Sequence, residues 1–492
     1  MNVKPSLEEA KELAKGGEYT ILPLSCELFS DSIPPIEALK RLKSASSHCY
    51  MLESVENSQR WGRYTFLGYD PKLHLTASNG VVTVTGPQGD CVEESDPGSA
   101  IRRLLRQHKS PRLSYLPPFT GGLVGYFSYD YIKYAEPSLA LSTQDPEGFF
   151  DVNLKLFDKV IAFDHYRQKI VLMVNVPCAN LEESYRQGVQ QLEHLQQLLH
   201  KEAPVQDFSG RMTSPLQALF SKEKYCAMVE RAKEYIREGD IFQVVLSNRL
   251  HAEFTGSLLD TYRVLRTTNP SPYMFYFSSE DLEIAGASPE TLVKLEDGVL
   301  HTFPLAGTRP RGQTSKEDEA LQQELLADEK ERAEHNMLVD LGRNDLGKIS
   351  RFGSVQVEEY MQVHRYSHVM HIGSVVRGEL RPDCDALSAV EAVLPAGTLS
   401  GAPKIRACQI IEEQEGDKRG IYGGAIGYLD FTGNLDTCIA IRLAVKKNGK
   451  VFVRAGAGIV ADSVPETEYQ ECINKAKAVV RALELAQEGV TP

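Results

Sequence analysis

The sequence predicts an α+β protein built on antiparallel sheets. Three observations carry that prediction. Strand-like and helix-like segments come in mixed runs, not in the strict strand–helix–strand alternation of a doubly wound sheet. Many apolar segments are short, alternate in polarity and end in turn signals such as Ser78-Asn79-Gly80 and Gly86-Pro87, as strands joined by tight connections do. At 492 residues, and roughly 100–200 residues per domain, the chain suits two to four domain-sized units or one large composite core.

The elements follow in order. Residues 6–15 read as a short amphipathic helix, and 20–24 and 49–54 as apolar strands. From Tyr64 to Thr85 the alternation suggests a β-meander. Residues 97–109 read as a helix with Ile101, Leu104 and Leu105 on one face, ended by Pro111, Pro117 and Pro118. Gly121-Gly122-Leu123-Val124-Gly125-Tyr126 reads as a strand whose glycines permit close backbone approach. A hairpin is expected over 159–176 and a Gln- and Leu-rich helix over 180–202. Residues 203–214 have loop composition and divide the chain into a region 1–205 and a region 215–492. Beyond that boundary, helices are expected at 221–238 and 258–268, with a strand at 241–250 between them. A strand-rich block spans 273–303, a charged helix 315–340, and strands 355–376. Helices follow near 385–394 and 403–415, then hairpins at 421–445 and 450–460 and a last helix at 465–487.

Composition excludes several classes. Lys plus Arg is 54 and Asp plus Glu is 67, for a net charge of −13, the opposite of a nucleic-acid footprint. Hydrophobic content is 42% and charged content 25%, ordinary for a globular chain. The nine cysteines are scattered with no C-x-x-C, which supports reduced thiols rather than a zinc ribbon or a redox pair. No segment approaches the ~20 apolar residues of a membrane span. The acidic start Met1-Asn2-Val3-Lys4-Pro5-Ser6-Leu7-Glu8-Glu9 lacks the apolar core of a signal peptide. A cytoplasmic protein that meets neither nucleic acid nor membrane is expected.

Chemistry concentrates in the second region. Glu331 and Glu334 are three apart, as are Glu468 and Glu471. On a helix such residues share a face. Two such faces brought together form an all-oxygen site suited to Mg2+; without a cation the carboxylates repel. Three glycine-bearing segments are shaped for a small anion: Phe303 to Gly312, Pro395 to Lys404, and Arg454 to Val460. Arg442, within the apolar run Cys438 to Val445 that reads as one strand, is costly to bury unless it is paired or binds an anion. Tyr422 precedes it, and His371 lies in His368-Val369-Met370-His371.

Taken in order, these motifs resemble the chorismate-utilising enzyme family. They are A-G-T-R-P-R-G, E-H-x-M-L-V-D-L-x-R-N-D-L-G, H-V-M-H, P-A-G-T-x-S-G-A-P-K, the arginine at 442, A-G-A-G-I-V and E-x-x-E-x-x-N-K-A. The resemblance is dense from about residue 220 to 480. It implies a large sandwich of antiparallel β-sheets surrounded by helices, and chorismate as substrate. It also implies site roles: Mg2+ on Glu334 and Glu471 with Glu331 and Glu468 beside them, and Gly307, Thr308, Thr398, Gly456 and Gly458 around the ring. Arg442 and Tyr422 would hold the enolpyruvyl carboxylate. Glu290 would be the acid, raised in pKa by nearby carboxylates if they are close, and His371 would assist.

Single residues separate the branches. The water-adding branch, isochorismate and salicylate synthases, carries a lysine base where this chain has Gln243. Aminodeoxychorismate synthase component I carries a nucleophilic lysine where this chain has Ala306. What remains resembles the branch in which ammonia attacks directly, the anthranilate synthase large subunits, which are carbon–oxygen lyases of tryptophan biosynthesis. Met51-Leu52-Glu53-Ser54 with Arg60-Trp61-Gly62-Arg63-Tyr64, and Asn269 to Phe275, match segments that bind tryptophan there as feedback inhibitor. The resemblance therefore implies an allosteric site at Glu53, Ser54, Pro272, Tyr273 and Met274. It also implies a separate glutamine amidotransferase subunit as ammonia source, because no glutaminase unit is recognisable in the chain.

Overall fold

Sheet pairing, more than local propensity, decides this architecture. The computed structural model describes residues 1–54, 62–87, 89–139, 141, 143, 145–201, 207–365 and 369–489. Among them are two antiparallel sheets of 13 and 12 strands and twelve α-helices. The first sheet runs, neighbour to neighbour, through Ile21–Phe29, Lys169–Pro177, Lys159–Asp164, Tyr64–Tyr69, Cys49–Glu53, Tyr273–Ser278, Leu282–Ser288, Leu443–Lys447, Lys450–Ile459, Gln243–Gly256 and Gly210–Met212. The second runs from Leu305–Pro310 through Val369–Glu379, Val299–Thr302, Thr291–Glu296, Leu435–Ile439, Ala425–Asp430, Gly122–Phe127 and Val152–Phe157 to Leu73–Ser78, Val81–Gly86 and Gly89–Glu94. The early strands thus continue both sheets laid down by the later ones.

The layers follow from where apolar side chains point. Between the sheets, Phe275, Ile284 and Leu443 of the first meet Tyr126, Ile426 and Cys438 of the second. Outside the first sheet, Leu39 and Leu42 of the helix Pro35–Ala45, Leu192 and Leu195 of Leu181–His200, and Val479 and Leu483 of Pro465–Gln487 cover Leu22, Leu24 and Val453. Outside the second, Ile101 and Leu104 of Pro97–Gln107 and Leu387 and Val390 of Ala386–Val393 cover Leu123 and Leu154. The result is the helix-wrapped antiparallel sandwich that the motifs implied. The glycine strand fits too: a Cβ at Gly122 or Gly125 would lie 2.1 Å from a neighbouring strand's carbonyl oxygen.

Four local expectations change. The meander over 64–85 is no meander: Tyr64–Tyr69 belongs to the first sheet and Leu73–Ser78 to the second, because periodicity reports strand faces and not partners. The loop at 203–214 contains the strand Gly210–Met212, recruited by Gly256 to Phe254, while 202–206 lie outside the described residues. The charged helix is two helices, Ser315–Ala327 and Glu329–Gly347. They part at Asp328, whose carboxylate accepts the Lys330 and Glu331 amides at 3.0 and 3.2 Å, an N-cap that restarts the helix. The run 438–445 is not one strand. Leu435–Ile439 lies in the second sheet and Leu443–Lys447 in the first, and Arg442 sits at the crossing with φ +54°.

Candidate active site

Two crossings between the sheets carry two of the expected site residues. The chain passes from Leu282–Ser288 to Thr291–Glu296 through Pro289-Glu290, and from Leu435–Ile439 to Leu443–Lys447 through Ala440-Ile441-Arg442. The crossings are pinned together. Ser288 Oγ donates to the Ile439 carbonyl at 2.7 Å, the Ile439 amide to the Glu290 carbonyl at 3.0 Å, and the Ala287 amide to the Arg442 carbonyl at 3.0 Å. Glu290 and Arg442 are thereby held close enough for their charges to interact. Burial pushes the Glu290 carboxyl up from 4.5 to about 7. The Thr398 hydroxyl, Lys475 and Arg442 pull the other way. Burial, not neighbouring carboxylates, is therefore the source of its acidity near neutral pH, a correction to the expected cause. Burial also pushes the Arg442 guanidinium down, against the pull of Tyr422, Glu290 and Glu471. It donates to the Lys475 carbonyl.

A glycine bulge builds the next part. Pairing between Leu305–Pro310 and Val369–Glu379 slips between Ala306 and Thr308, with Gly307 at φ +68°, a conformation that glycine adopts without penalty. A Cβ at Gly307 would stand 3.2 Å from Glu331 Oε2. The slip sets Thr308 opposite His371: Thr308 Oγ1 and His371 Nδ1 are 3.0 Å apart. Nδ1 also lies 3.0 Å from the Gly307 carbonyl oxygen, which can only accept, so Nδ1 carries the proton and Nε2 is the basic nitrogen. Burial pushes His371 below its usual range, with the Gly307 carbonyl opposing and the Arg442 charge assisting. His368, its partner in the motif, lies outside the described residues.

The two acidic pairs come from Glu329–Gly347 and Pro465–Gln487. Desolvation and then the Glu331 charge raise Glu334, Glu471 adds to the rise, and Lys475 and Lys330 oppose it. Glu468 is raised by burial and by Glu471. The helices therefore do bring the pairs within reach of each other. They do not close them into a ligand cluster: among the described residues no three metal-ligating side chains converge. Side-chain cations sit there instead, Lys475 Nζ 2.6 Å from Glu471 Oε1 and Arg309 Nη1 3.3 Å from Glu331 Oε1. Desolvation and the like charges of Glu331 and Glu471, only partly offset by Lys475 and Lys330, suit these oxygens to a divalent cation.

The remaining expected residues are constrained by close contacts of their own. Gly456 is kept bare because a Cβ would meet Leu246 O at 2.7 Å and the Tyr422 hydroxyl at 3.0 Å. A Cβ at Gly458 would lie 2.6 Å from Gln243 Nε2. Gln243 is buried, and among the described residues its Oε1 has no hydrogen-bond partner. Thr398 lies in the short turn Gly397–Leu399; with Glu290 it borders a small cavity of about 50 Å3.

The five residues expected to bind tryptophan meet elsewhere. Strand Tyr273–Ser278 pairs with Cys49–Glu53, placing Met274 opposite Glu53. Glu53, Ser54, Pro272, Tyr273 and Met274 all line one cavity of about 930 Å3 between the sheets, within the ~300–1,000 Å3 of small-molecule sites. Arg60 and Trp61 lie outside the described residues. The cavity also touches Leu305 and Gly373 of the strand pair that carries Thr308 and His371. The Tyr273 hydroxyl donates to Asp436 Oδ1 at 2.8 Å and accepts from Thr291 Oγ1 at 3.0 Å, and Thr291 directly follows Glu290.

Sequence reasoning missed some participants. Lys475 acts on Glu290, Glu334 and Glu468 together; its place four residues after Glu471 was the available signal. Tyr262 and Arg266 bind the Glu53 carboxylate, the former at 2.6 Å. No local pattern links residues some 210 positions apart.

Comparison with known proteins agrees with the motifs and the fold. The family described as chorismate binding enzyme matches residues 8–481. Anthranilate synthase component 1 of Acetivibrio thermocellus is 46% identical over 98% of this chain and 99% of the relative. That of Aquifex aeolicus is 45% identical over 99% of each. The crystal structure of anthranilate synthase component I from Streptococcus pneumoniae superposes with a TM-score of 0.78 at 41% identity, covering 92% of this chain and 99% of that one. The menaquinone-specific isochorismate synthase of Escherichia coli, at 22% identity and a TM-score of 0.71, shares the fold. With the motifs, the sandwich and these matches in agreement, the chain belongs to the chorismate-binding enzyme family.

Proposed function

We propose that this chain is the aminating subunit of an anthranilate synthase, converting chorismate and ammonia to anthranilate, pyruvate and water. The observation that carries the choice within the family is Gln243. A buried carboxamide lies against Gly458, where the water-adding relatives carry a base, and a carboxamide cannot deprotonate water. Ala306, paired opposite Ile372, likewise offers no amine for a covalent adduct, which argues against the runner-up, aminodeoxychorismate synthase component I.

In this reading Arg442 and Tyr422 hold the enolpyruvyl carboxylate, for which a guanidinium offers bidentate geometry. Gly307, Thr308, Thr398, Gly456 and Gly458 fix the ring. Glu334 and Glu471, with Glu331 and Glu468 beside them, would hold Mg2+, which when bound would neutralise the ring carboxylate. Ammonia attacks ring C2, and the C4 hydroxyl leaves as water on receiving the proton of Glu290, a carboxyl near the pH suited to a general acid. His371, oriented by Gly307 and touching Thr308, assists that departure or the second step. In that step the C2 proton is lost, the C3–O bond breaks and pyruvate leaves, and the ring becomes aromatic. Ammonia would come from a separate glutamine amidotransferase subunit in the cytoplasm. Tryptophan would bind the cavity at Glu53, Ser54, Pro272, Tyr273 and Met274 and inhibit from a distance. Among the described residues no helix is long and apolar enough to cross a membrane.

The test is direct. The purified chain is incubated with chorismate, Mg2+ and ammonium salt at alkaline pH, and anthranilate fluorescence and pyruvate are followed. Both should appear in equal amounts. Isochorismate or aminodeoxychorismate as sole product, or no turnover, would overturn the proposal.

A further inference from the structure

Arg419 is used by none of the chemistry above, yet it is buried and touches three of the segments that build the site. Its Nη1 donates to the Leu399 carbonyl at 2.6 Å, next to Thr398. Its Nη2 donates to the Val245 carbonyl at 2.7 Å, and Val245 is the register partner of Gly458. Its Nε and Nη2 clamp Glu415 at 2.9 and 2.5 Å. Glu415 in turn accepts the Ser247 amide at 2.8 Å and Arg454 Nη2 at 2.9 Å. The guanidinium plane stands 4.6 Å from the Tyr129 ring and 5.9 Å from the Tyr422 ring. The next residue, Gly420, is fixed from the opposite side: its amide donates to Asp130 at 3.0 Å and its carbonyl accepts the Tyr129 amide at 2.9 Å.

We propose that Arg419 is a positioning residue for chorismate: one planar cation that sets the mutual spacing of the Thr398 turn, the paired strands that carry Gln243 and Gly458, and the Tyr422 loop. The proposal rests on the reading above, which places Thr398, Gly458 and Tyr422 around the substrate. The chemistry explains why arginine stands here. Two carbonyls, a carboxylate and a ring in three directions match the fixed fork of a guanidinium, and an ammonium on a flexible stem cannot reach them together. The charge itself is compensated by Glu415 at the cost of desolvation, so the arrangement is better explained by geometry than by stability.

Arg419→Lys keeps the charge and removes the fork. The expected result is a chorismate KM raised at least tenfold with kcat reduced less than threefold, because the groups that hold the substrate are misplaced while Glu290 and His371 are untouched. A merely structural role would lower the folded fraction, reducing kcat while leaving KM as in the parent. A KM within twofold of the parent therefore overturns the proposal. Should Arg419→Lys fail to fold by circular dichroism, Glu415→Gln, which loosens the clamp and leaves Arg419 in place, is measured instead. A KM raised at least threefold supports the proposal and an unchanged KM overturns it. A parent chain that makes no anthranilate from chorismate and ammonium is a different failure, that of the function.

Discussion

Glu290 offers the sharpest test of the site, because its environment makes opposite demands on stability and activity. Its carboxyl rises from 4.5 to about 7 through burial. A group protonated more readily in the folded chain than in the unfolded one binds more protons when folded. Stability therefore falls as pH climbs between those two values. Below pH 4.5 both states are protonated and nothing is lost; above pH 7 the folded state carries a desolvated charge. The rise from 4.5 to about 7 corresponds to about 3 kcal/mol at pH 8.5, and to only a few tenths at pH 4. Glu290→Gln keeps the shape and removes the charge. It should therefore be more stable than the parent by up to about 3 kcal/mol at pH 8.5 and nearly equal at pH 4. Amination should fall by about 10²–10⁴-fold, the usual contribution of a general acid. Urea unfolding at the two pH values, beside anthranilate formation, measures both. A stability difference that does not vary with pH would refute the burial argument. A variant of normal activity would refute the acid assignment.

Three further outcomes follow from the same geometry. Glu334→Gln should remove Mg2+-dependent turnover and weaken Mg2+ binding in calorimetry with the fold intact; parental activity would exclude the metal role. Ser54→Phe, which fills part of the cavity that Glu53 and Tyr273 line, should relieve tryptophan inhibition by at least fivefold, the low end of allosteric couplings of about 5–150-fold. Its ammonia-dependent kcat/KM should stay unchanged, and an inhibition curve like the parent's would count against the site. Gly307→Ala forces a side chain into φ +68° and towards Glu331 and Leu325. It should cost about 1–2 kcal/mol by urea unfolding and disturb the Thr308–His371 contact enough to lower kcat/KM. Parental values in both assays would show that the bulge is tolerant.

Much of the fold was legible because its signals are local. Helices such as Pro97–Gln107 and Pro465–Gln487 carry the apolar stripe and the first-turn proline that mark them. The strands were found as strands, yet which sheet each joined was not. Tyr64–Tyr69 and Leu73–Ser78 look like neighbours in sequence and separate into different sheets. At the site, the acidic pairs, the glycine segments and His371 stood out by residue type and spacing. Arg442 was singled out correctly as unusual, but in the wrong conformation, since nothing in an apolar run announces a crossing at φ +54°.

The sequence by itself determined the family, the identities of Gln243 and Ala306, and the residues available for chemistry, because motifs in fixed order record residue identity. Only the tertiary structure decided that burial is what raises Glu290, that Lys475 and Arg309 sit among the acidic pairs, and that Arg419 ties three segments together. Each of these depends on desolvation or on contacts between distant stretches. The physical reason is one of range. Helix and strand periodicity is set within a few residues, whereas dielectric environment and charge pairing are set by whatever the two sheet crossings bring alongside.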